Sequence, residues 1–223
     1  MLDDGPPKFR EHEIEWDDKK ISRLWDYYSR TPPYSDAYFS KLFGHHMLRK
    51  SGLPLMEPLE VLDFGCGPGY IWDHLVRLGA QWTYTALDFS LESVDQITKK
   101  AAGHARFRGA KHVTRLPVDI PGSHFDVVLL LEVVEHLTDD KLEPTINEVA
   151  RLLKPGGVVL ITTPNEEDLA EARKFCPECG AVFHEWQHVR SWTIGTLAGY
   201  MRKCGFRTRL CKALDFTAQD ISA

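Results

Sequence analysis

The chain has little cysteine, little surplus charge and no long apolar run, and each shortage closes off a class of protein. Five cysteines in 223 residues are too few, and odd in number, for a disulfide-stapled secreted fold, which points to a reducing, cytoplasmic compartment. A net charge of −5, from 27 basic and 32 acidic residues, lacks the positive footprint of a general nucleic-acid binder. The strongest apolar run, Val127 to Leu131, halts at Glu132, far short of the ~20 residues that cross a bilayer. The opening MLDDGPPKFREHEIE has neither the basic start nor the apolar segment of a secretory signal. Repeats and low-complexity tracts are missing, and 43% hydrophobic with 26% charged residues excludes collagen, coiled coil and global disorder. A globular enzyme or binding protein remains.

What is present falls into three parts. Residues 1–15, polar and carrying Gly5-Pro6-Pro7, read as a frayed tail. Residues 16–55 turn helical. Ile21, Leu24, Trp25 and Tyr28 form one apolar stripe at i, i+3, i+4 and i+7, Thr31-Pro32-Pro33 breaks it, and a second helix is expected over Ser35 to Lys50. Nine aromatics lie before residue 44, which suits a lid over a pocket as well as ordinary packing. From residue 56 to 223 strands alternate with helices. Strands are expected at 60–64, 82–87, 105–107, 125–131, 158–162 and 206–214, and that rhythm implies an α/β fold with a doubly wound, mostly parallel sheet.

Ligands of such sheets sit beyond the strands' carboxyl ends. The first strand runs into Asp63-Phe64-Gly65-Cys66-Gly67-Pro68-Gly69, whose glycines permit positive φ and close approach of a ligand to the backbone. Asp88 ends the second strand, where a carboxylate accepts ribose hydroxyls. The spacing is Gly-x-Gly-x-Gly rather than the Gly-x-Gly-x-x-Gly of dinucleotide sites, no basic residue awaits a phosphate, and an acid precedes the turn. This chemistry favours a nucleoside with a cationic group over a pyrophosphate.

The chain resembles the class I S-adenosylmethionine-dependent methyltransferases over roughly residues 58–210. VLDFGCGPG at 61–69, ALDFS at 86–90, FDVVLLLEVVEHL at 125–137 and LLKPGGVVLITTPN at 152–165 carry the likeness. The resemblance implies a Rossmann-like fold with S-adenosylmethionine held by Asp63, Gly65, Cys66, Gly67, Gly69, Asp88, Phe89 and Glu132. Asp63 would meet the methionine amino group, Asp88 the ribose, and Phe89 the adenine. It also implies methyl transfer, to an unidentified acceptor that the acidic balance makes a small molecule rather than RNA; Trp25, Tyr27, Tyr28 and Tyr34 of the lid either surround the methylsulfonium or form core between lid and sheet. Two alternatives stand beside it: a metal-dependent 2′-O-methyltransferase of RNA ends, and a non-catalytic S-adenosylmethionine-binding sensor or scaffold. The sequence departs from the family where an acid often follows the third strand, since Gly109-Ala110-Lys111-His112-Val113 has none. Thr217 to Ala223 are too few and too polar for the family's seventh strand, so either that strand is absent or the chain is truncated.

Glu132, Glu135 and His136 would share a face if a helix began at Glu132. Three readings compete for them. Glu132 orients the cofactor while Glu135 and His136 pack; or His136 is a general base; or Glu132, Glu135 and His136, with His188, hold Mg²⁺. The third resembles the ubiquinone-pathway and small-RNA O-methyltransferases, which share Glu-x-x-Glu-His. Within an insertion at 166–192, Cys176-Pro177-Glu178-Cys179-Gly180 precedes Phe183-His184-Glu185-Trp186-Gln187-His188. Two thiolates and two imidazoles suit a tetrahedral zinc site of Cys176, Cys179, His184 and His188. The competing reading is a reduced cysteine pair, with His184 or His188 turned to the substrate. Cys66, Cys204 and Cys211 also fit as small core residues. Oligomeric state leaves no trace in the sequence.

Overall fold

Alternation of side chains along five strands decides the architecture. The computed structural model describes residues 10–216. Strands β2 (Glu60–Phe64), β3 (Thr83–Asp88), β4 (Phe107–His112), β5 (Phe125–Leu131) and β6 (Leu153–Thr162) form one all-parallel sheet in the order β4-β3-β2-β5-β6. Because successive residues face opposite sides, Leu62, Phe64, Val128 and Leu130 enter one core while Val61, Val127 and Leu129 enter the other. The first core is closed by Leu142, Ile146 and Val149 of α5 (Asp139–Leu152) and Met201 of α6 (Ile194–Lys203). The second is closed by α2 (Phe39–Lys50), α3 (Tyr70–Arg77) and α4 (Leu91–Ala101), through Leu48, Ile71, Leu75 and Ile97. Strands buried on both faces need continuous apolar runs, and β5 supplies one.

The order reverses at β2, whose neighbours are β3 on one side and β5 on the other. Chain leaving β2 and chain leaving β5 therefore diverge above the same crevice. Ahead of the sheet lie α1 (Asp18–Arg30), a 3₁₀ turn at Tyr34–Asp36, and α2. Asp17 caps α1 by accepting the Lys20 amide at 2.8 Å, which satisfies one of the orphan donors of its first turn. A second, small sheet joins β1 (His12–Glu13), β8 (Ala181–His184) and β7 (Arg173–Phe175) in the order β1-β8-β7. Among the described residues no helix is long and apolar enough to cross a membrane.

Four expectations need correction. The third strand of the large sheet runs over Phe107–His112, not 105–107. The last extends back to Leu153, which pairs with Phe125 across an irregularity. Residues 206–214 form no strand: Arg207, Thr208, Arg209 and Leu210 are all exposed, so this stretch offers no buried face to add to the sheet. The tail is not wholly frayed, because His12 and Glu13 pair in parallel with Ala181 and Val182. Residues 1–9 of that tail, and Thr217 to Ala223, lie outside the described residues.

Gly69, which caps α3, has φ +80°, and a Cβ there would lie 2.2 Å from Ile97 Cδ1. Strain and overlap act together, so Gly69→Ala is expected to destabilise the fold by about 1–3 kcal/mol, read as a lower urea midpoint at unchanged slope.

Candidate active site

The carboxyl ends of β2 and β5 lie side by side at the crevice. The glycine turn after β2 is built on positive φ at Gly65 (91°) and Gly67 (50°), and Asp88 at the end of β3 fastens it. One oxygen of Asp88 accepts the Gly67 amide at 2.7 Å and the other accepts the Ser90 amide, also at 2.7 Å. Burial still pushes the Asp88 carboxyl up to about 6. Asp63 is more enclosed at 1% exposure. Its Oδ2 accepts the Tyr84 hydroxyl, its Oδ1 has no hydrogen-bond partner, and burial lifts it to about 7.

A cavity of about 520 Å³ opens over this turn, lined by Gly65, Gly67, Asp88 and Phe89. It continues to Glu132, His136 and His188 and is roofed by Trp25 and Tyr38 of the N-terminal segment. Asp63, in β2, and Glu135, in the turn after β5, are both buried and do not line the cavity. Two residues of the glycine motif belong to the interior instead. Cys66 is buried in the α3–α4 core, and Gly69 serves packing against Ile97. Of the lid aromatics, Trp25 lines the cavity, whereas Tyr28 stacks on Tyr34 with ring centroids 4.0 Å apart and abuts Trp186. These rings form core between lid and insertion. His112 at the end of β4, with Val113 and Thr114 after it, lines the cavity together with Phe89, and the His112 ring meets the Phe89 carbonyl at 3.0 Å.

The segment after β5 is not a helix. Glu132 takes φ +54°, a tight turn follows with the His136 amide donating to the Val133 carbonyl at 3.0 Å, and α5 begins only at Asp139. The turn nevertheless gathers the three residues. Glu132 is pushed up to about 7 by burial. Glu135, 1% exposed, is raised well above the ordinary range by burial and by Glu132. Both of its carboxylate oxygens lack a regular hydrogen bond. Burial holds the His136 imidazole down to about 3, so it is neutral, and its Nδ1 also lacks a partner.

The insertion reaches this turn from the other side. His188 packs on His136 with centroids 4.8 Å apart and on His184 at 4.5 Å. Candidate ligand atoms of Glu135, His136 and His188 lie within 4.8 Å of one another, as do those of Glu167, His184 and His188. Neither group contains a cysteine, and the four-residue zinc site does not assemble. Cys176 and Cys179 occupy the turn between β7 and β8, whereas His184 ends β8 opposite Arg173. At ~3.3 Å per residue, the strand alone carries His184 roughly 10 Å away from that turn.

The motif reading passed over two residues. Gln187, fully buried with φ +60°, accepts the Trp25 indole N–H at 3.0 Å and donates to the His136 carbonyl at 2.8 Å. Glu167 meets both His184 and His188. The string Phe-His-Glu-Trp-Gln-His draws attention to its histidines, and only the buried amide contacts single out Gln187.

A family model described as a methyltransferase domain matches residues 17–210. Among curated proteins, the chain is 36% identical over 127 residues to the ubiquinone biosynthesis O-methyltransferase of Rhizobium leguminosarum bv. trifolii (strain WSM2304), covering 55% of this chain and 47% of that protein. It is 33% identical over 135 residues to the protein of the same name from Sinorhizobium medicae (strain WSM419), covering 60% and 52%. The chain thus spans about half the length of these relatives. Among solved structures, an S-adenosylmethionine-dependent methyltransferase from Aquifex aeolicus superposes with a TM-score of 0.58 at 18% identity, covering 86% of this chain and 90% of that one. A complex of the Haloferax volcanii Trm112 methyltransferase activator with a methyltransferase gives 0.62 at 19%, covering 82% and 76%. At these identities the likeness is one of fold.

Asp63 carries a pH-dependent cost. Its carboxyl rises from 3.8 to about 7 on folding, so the stability linked to it is complete below 3.8 and lost as pH climbs through about 7. Asp63→Asn is therefore expected to be more stable than the parent at pH 8, by ~1–3 kcal/mol, with the advantage fading toward pH 4 in urea titrations. Thiol labelling tests the hairpin: Cys179 is exposed and backbone N–H groups lower the Cys176 thiol, whereas Cys66 is buried and raised. Cys176 and Cys179 are expected to react at once with an aromatic disulfide, and Cys66 only on unfolding.

Proposed function

Given that this chain belongs to the methyltransferase-domain family, we propose that it uses S-adenosylmethionine to methylate a hydroxyl group of a small molecule. One observation carries the reading: a single cavity runs from the glycine turn, Asp88 and Phe89 to Glu132, His136 and His188. Bound there, S-adenosylmethionine supplies a methyl group on a sulfonium that departs as a neutral thioether. Asp88 accepts the ribose hydroxyls, with lone pairs left over from its two amide contacts, and Phe89 packs on the adenine. Asp63 and Glu132 offer negative charge to the amino-acid end, since enclosed carboxylates favour a cation. Trp25 and Tyr38 exclude water and present aromatic faces to positive charge. The named activity of the curated relatives supports O-methylation, and the sparse cysteine content supports a cytoplasmic setting.

The acceptor end fits a divalent cation. Glu135 has two buried oxygens without hydrogen bonds, and neutral His136 has an unpartnered nitrogen. Together with Glu132 and His188 they would hold Mg²⁺, whose preference for hard oxygen donors the two carboxylates would meet. Such an ion would lower the pKa of a hydroxyl bound to it, which would ease deprotonation. His136 alone as a proton acceptor is the weaker reading, because a group held near 3 has little affinity for a proton.

The test is incubation with methyl-labelled cofactor and a panel of small phenols and catechols, with RNA oligonucleotides in a parallel arm. Label is expected in the phenol arm, lost with EDTA and restored by Mg²⁺. EDTA-resistant transfer removes the metal, label in RNA alone removes the small acceptor, and no binding of S-adenosylhomocysteine by calorimetry removes the whole reading. Asp88→Ala is expected to weaken that binding by about 1.5–3 kcal/mol, roughly 10- to 150-fold. Affinity of the parent is expected to drop as pH falls through about 7 and about 6, where Asp63 and Asp88 gain protons.

A further inference from the structure

His188 has a partner behind it that no motif contains. Glu167, in the loop after β6, places Oε2 2.5 Å from His188 Nδ1 and Oε1 3.4 Å from His184 Nε2. The loop is pinned at its base, where Asn165 bridges Trp192 and the Glu166 amide donates to the Trp192 carbonyl at 2.7 Å. A carboxylate therefore stands between two imidazoles on backbone that is itself held.

Hydrogen-bond chemistry then fixes where the protons are. His184 Nδ1 faces two backbone N–H groups, those of Trp186 at 3.3 Å and His188 at 3.2 Å. Both can only donate, so Nδ1 is the lone-pair nitrogen and the ring proton sits on Nε2. That Nε2, on a side chain only 6% exposed and itself without a hydrogen bond of regular geometry, faces Glu167 Oε1. The same logic excludes His184 as a metal ligand. A cation on Nε2 would leave both ring nitrogens without a proton, while ligating histidines as a rule keep one N–H for an acceptor. Glu167 thus takes positive hydrogen from His184 on one side and meets His188 Nδ1 on the other.

We propose that Glu167, braced by His184, is the positioning residue that fixes His188 as its Nδ1–H tautomer and leaves the Nε2 lone pair for the cavity's chemistry. This deepens the function proposed above and rests on His188 serving that site. The carboxylate orients the ring, and its charge raises the donor strength of the opposite nitrogen, as a carboxylate does behind a ligating histidine. Without it, an imidazole between His136 and His184 is free to place its proton on either nitrogen, and half of those choices remove the lone pair.

Proton placement is read directly by long-range ¹H–¹⁵N correlation spectra of histidine-labelled protein, with no ligand added. The expected pattern is Nδ1–H for His188 and Nε2–H for His184, with Glu167→Gln moving His188 to a mixture or to Nε2–H. In calorimetry with Mg²⁺ alone, Glu167→Gln is expected to bind about 10- to 100-fold more weakly, and Glu167→Asp to recover part of the loss. His188 found as Nε2–H in the parent protein overturns the proposal without any variant. So does a Glu167→Gln protein that keeps its thermal midpoint, the parent tautomers and the parent Mg²⁺ affinity. If the parent binds no Mg²⁺, the metal reading falls, and the tautomer spectra alone still decide the role of Glu167.

Discussion

Four carboxylates, Asp63, Asp88, Glu132 and Glu135, are enclosed where the parallel strands end, and the rest of the molecule answers to the charge they would carry there. Burial raises the proton affinity of each, so each costs stability whenever it is ionised. Compensation is uneven. Asp88 has two amides and Asp63 a phenol, whereas the carboxylate of Glu135 has no regular hydrogen bond. Apolar strands on both faces make this tolerable, because the surrounding core fixes the backbone that presents the acids. A ligand with an ammonium and a sulfonium, and a divalent cation beside it, are the partners that relieve such a site most.

Enclosure of those acids depends on segments outside the sheet, and Gln187 joins them. Its amide bonds Trp25 of α1 and the main chain of His136 at once, so lid, insertion and post-β5 turn share one polar contact. Around it, Tyr28 donates from its hydroxyl to the Glu185 carbonyl at 2.7 Å and stacks on Tyr34. On the opposite flank, the Ser90 hydroxyl donates to Asp26 at 2.6 Å, fastening α1 to the β3–α4 loop beside Asp88. A buried polar group satisfied on both functions specifies one arrangement more sharply than apolar contact does. The left-handed backbone of Gln187 shows that its surroundings outweigh local preference.

Period and punctuation made the sheet legible. The run Phe125–Leu131, the glycines after Phe64 and the serine cap of α4 act through neighbours a few residues away, and so they survive translation into one-dimensional pattern. Edges did not translate. Phe107–His112 lacks an apolar run because β4 is the sheet's outermost strand on that side, and Phe206–Leu214 has aromatic and aliphatic residues without a face to bury. The turn at Glu132–His136 mimicked helical spacing, since a tight turn also brings residues i and i+3 together. The zinc expectation failed for a related reason: C-x₂-C and H-x₃-H are each local, but the extended strand between them is rigid. What spacing cannot express is a contact such as Glu167 with His188, 21 residues apart.

This division of labour bears on what similarity can convey. The residues proposed to meet the cofactor lie at or just beyond the carboxyl ends of β2, β3 and β5, inside the motifs that carry the family likeness. The other end of the cavity is lined by Trp25 and Tyr38 before the sheet and by Gln187 and His188 after it, with Glu167 against His188. Small changes there alter the cavity without touching the strands, because those loops are held by a few polar contacts rather than by the two cores. The walls that α1 and the insertion give the cavity, Trp25 on one side with Trp186, Gln187 and His188 on the other, are thus the part of the site least determined by the sheet.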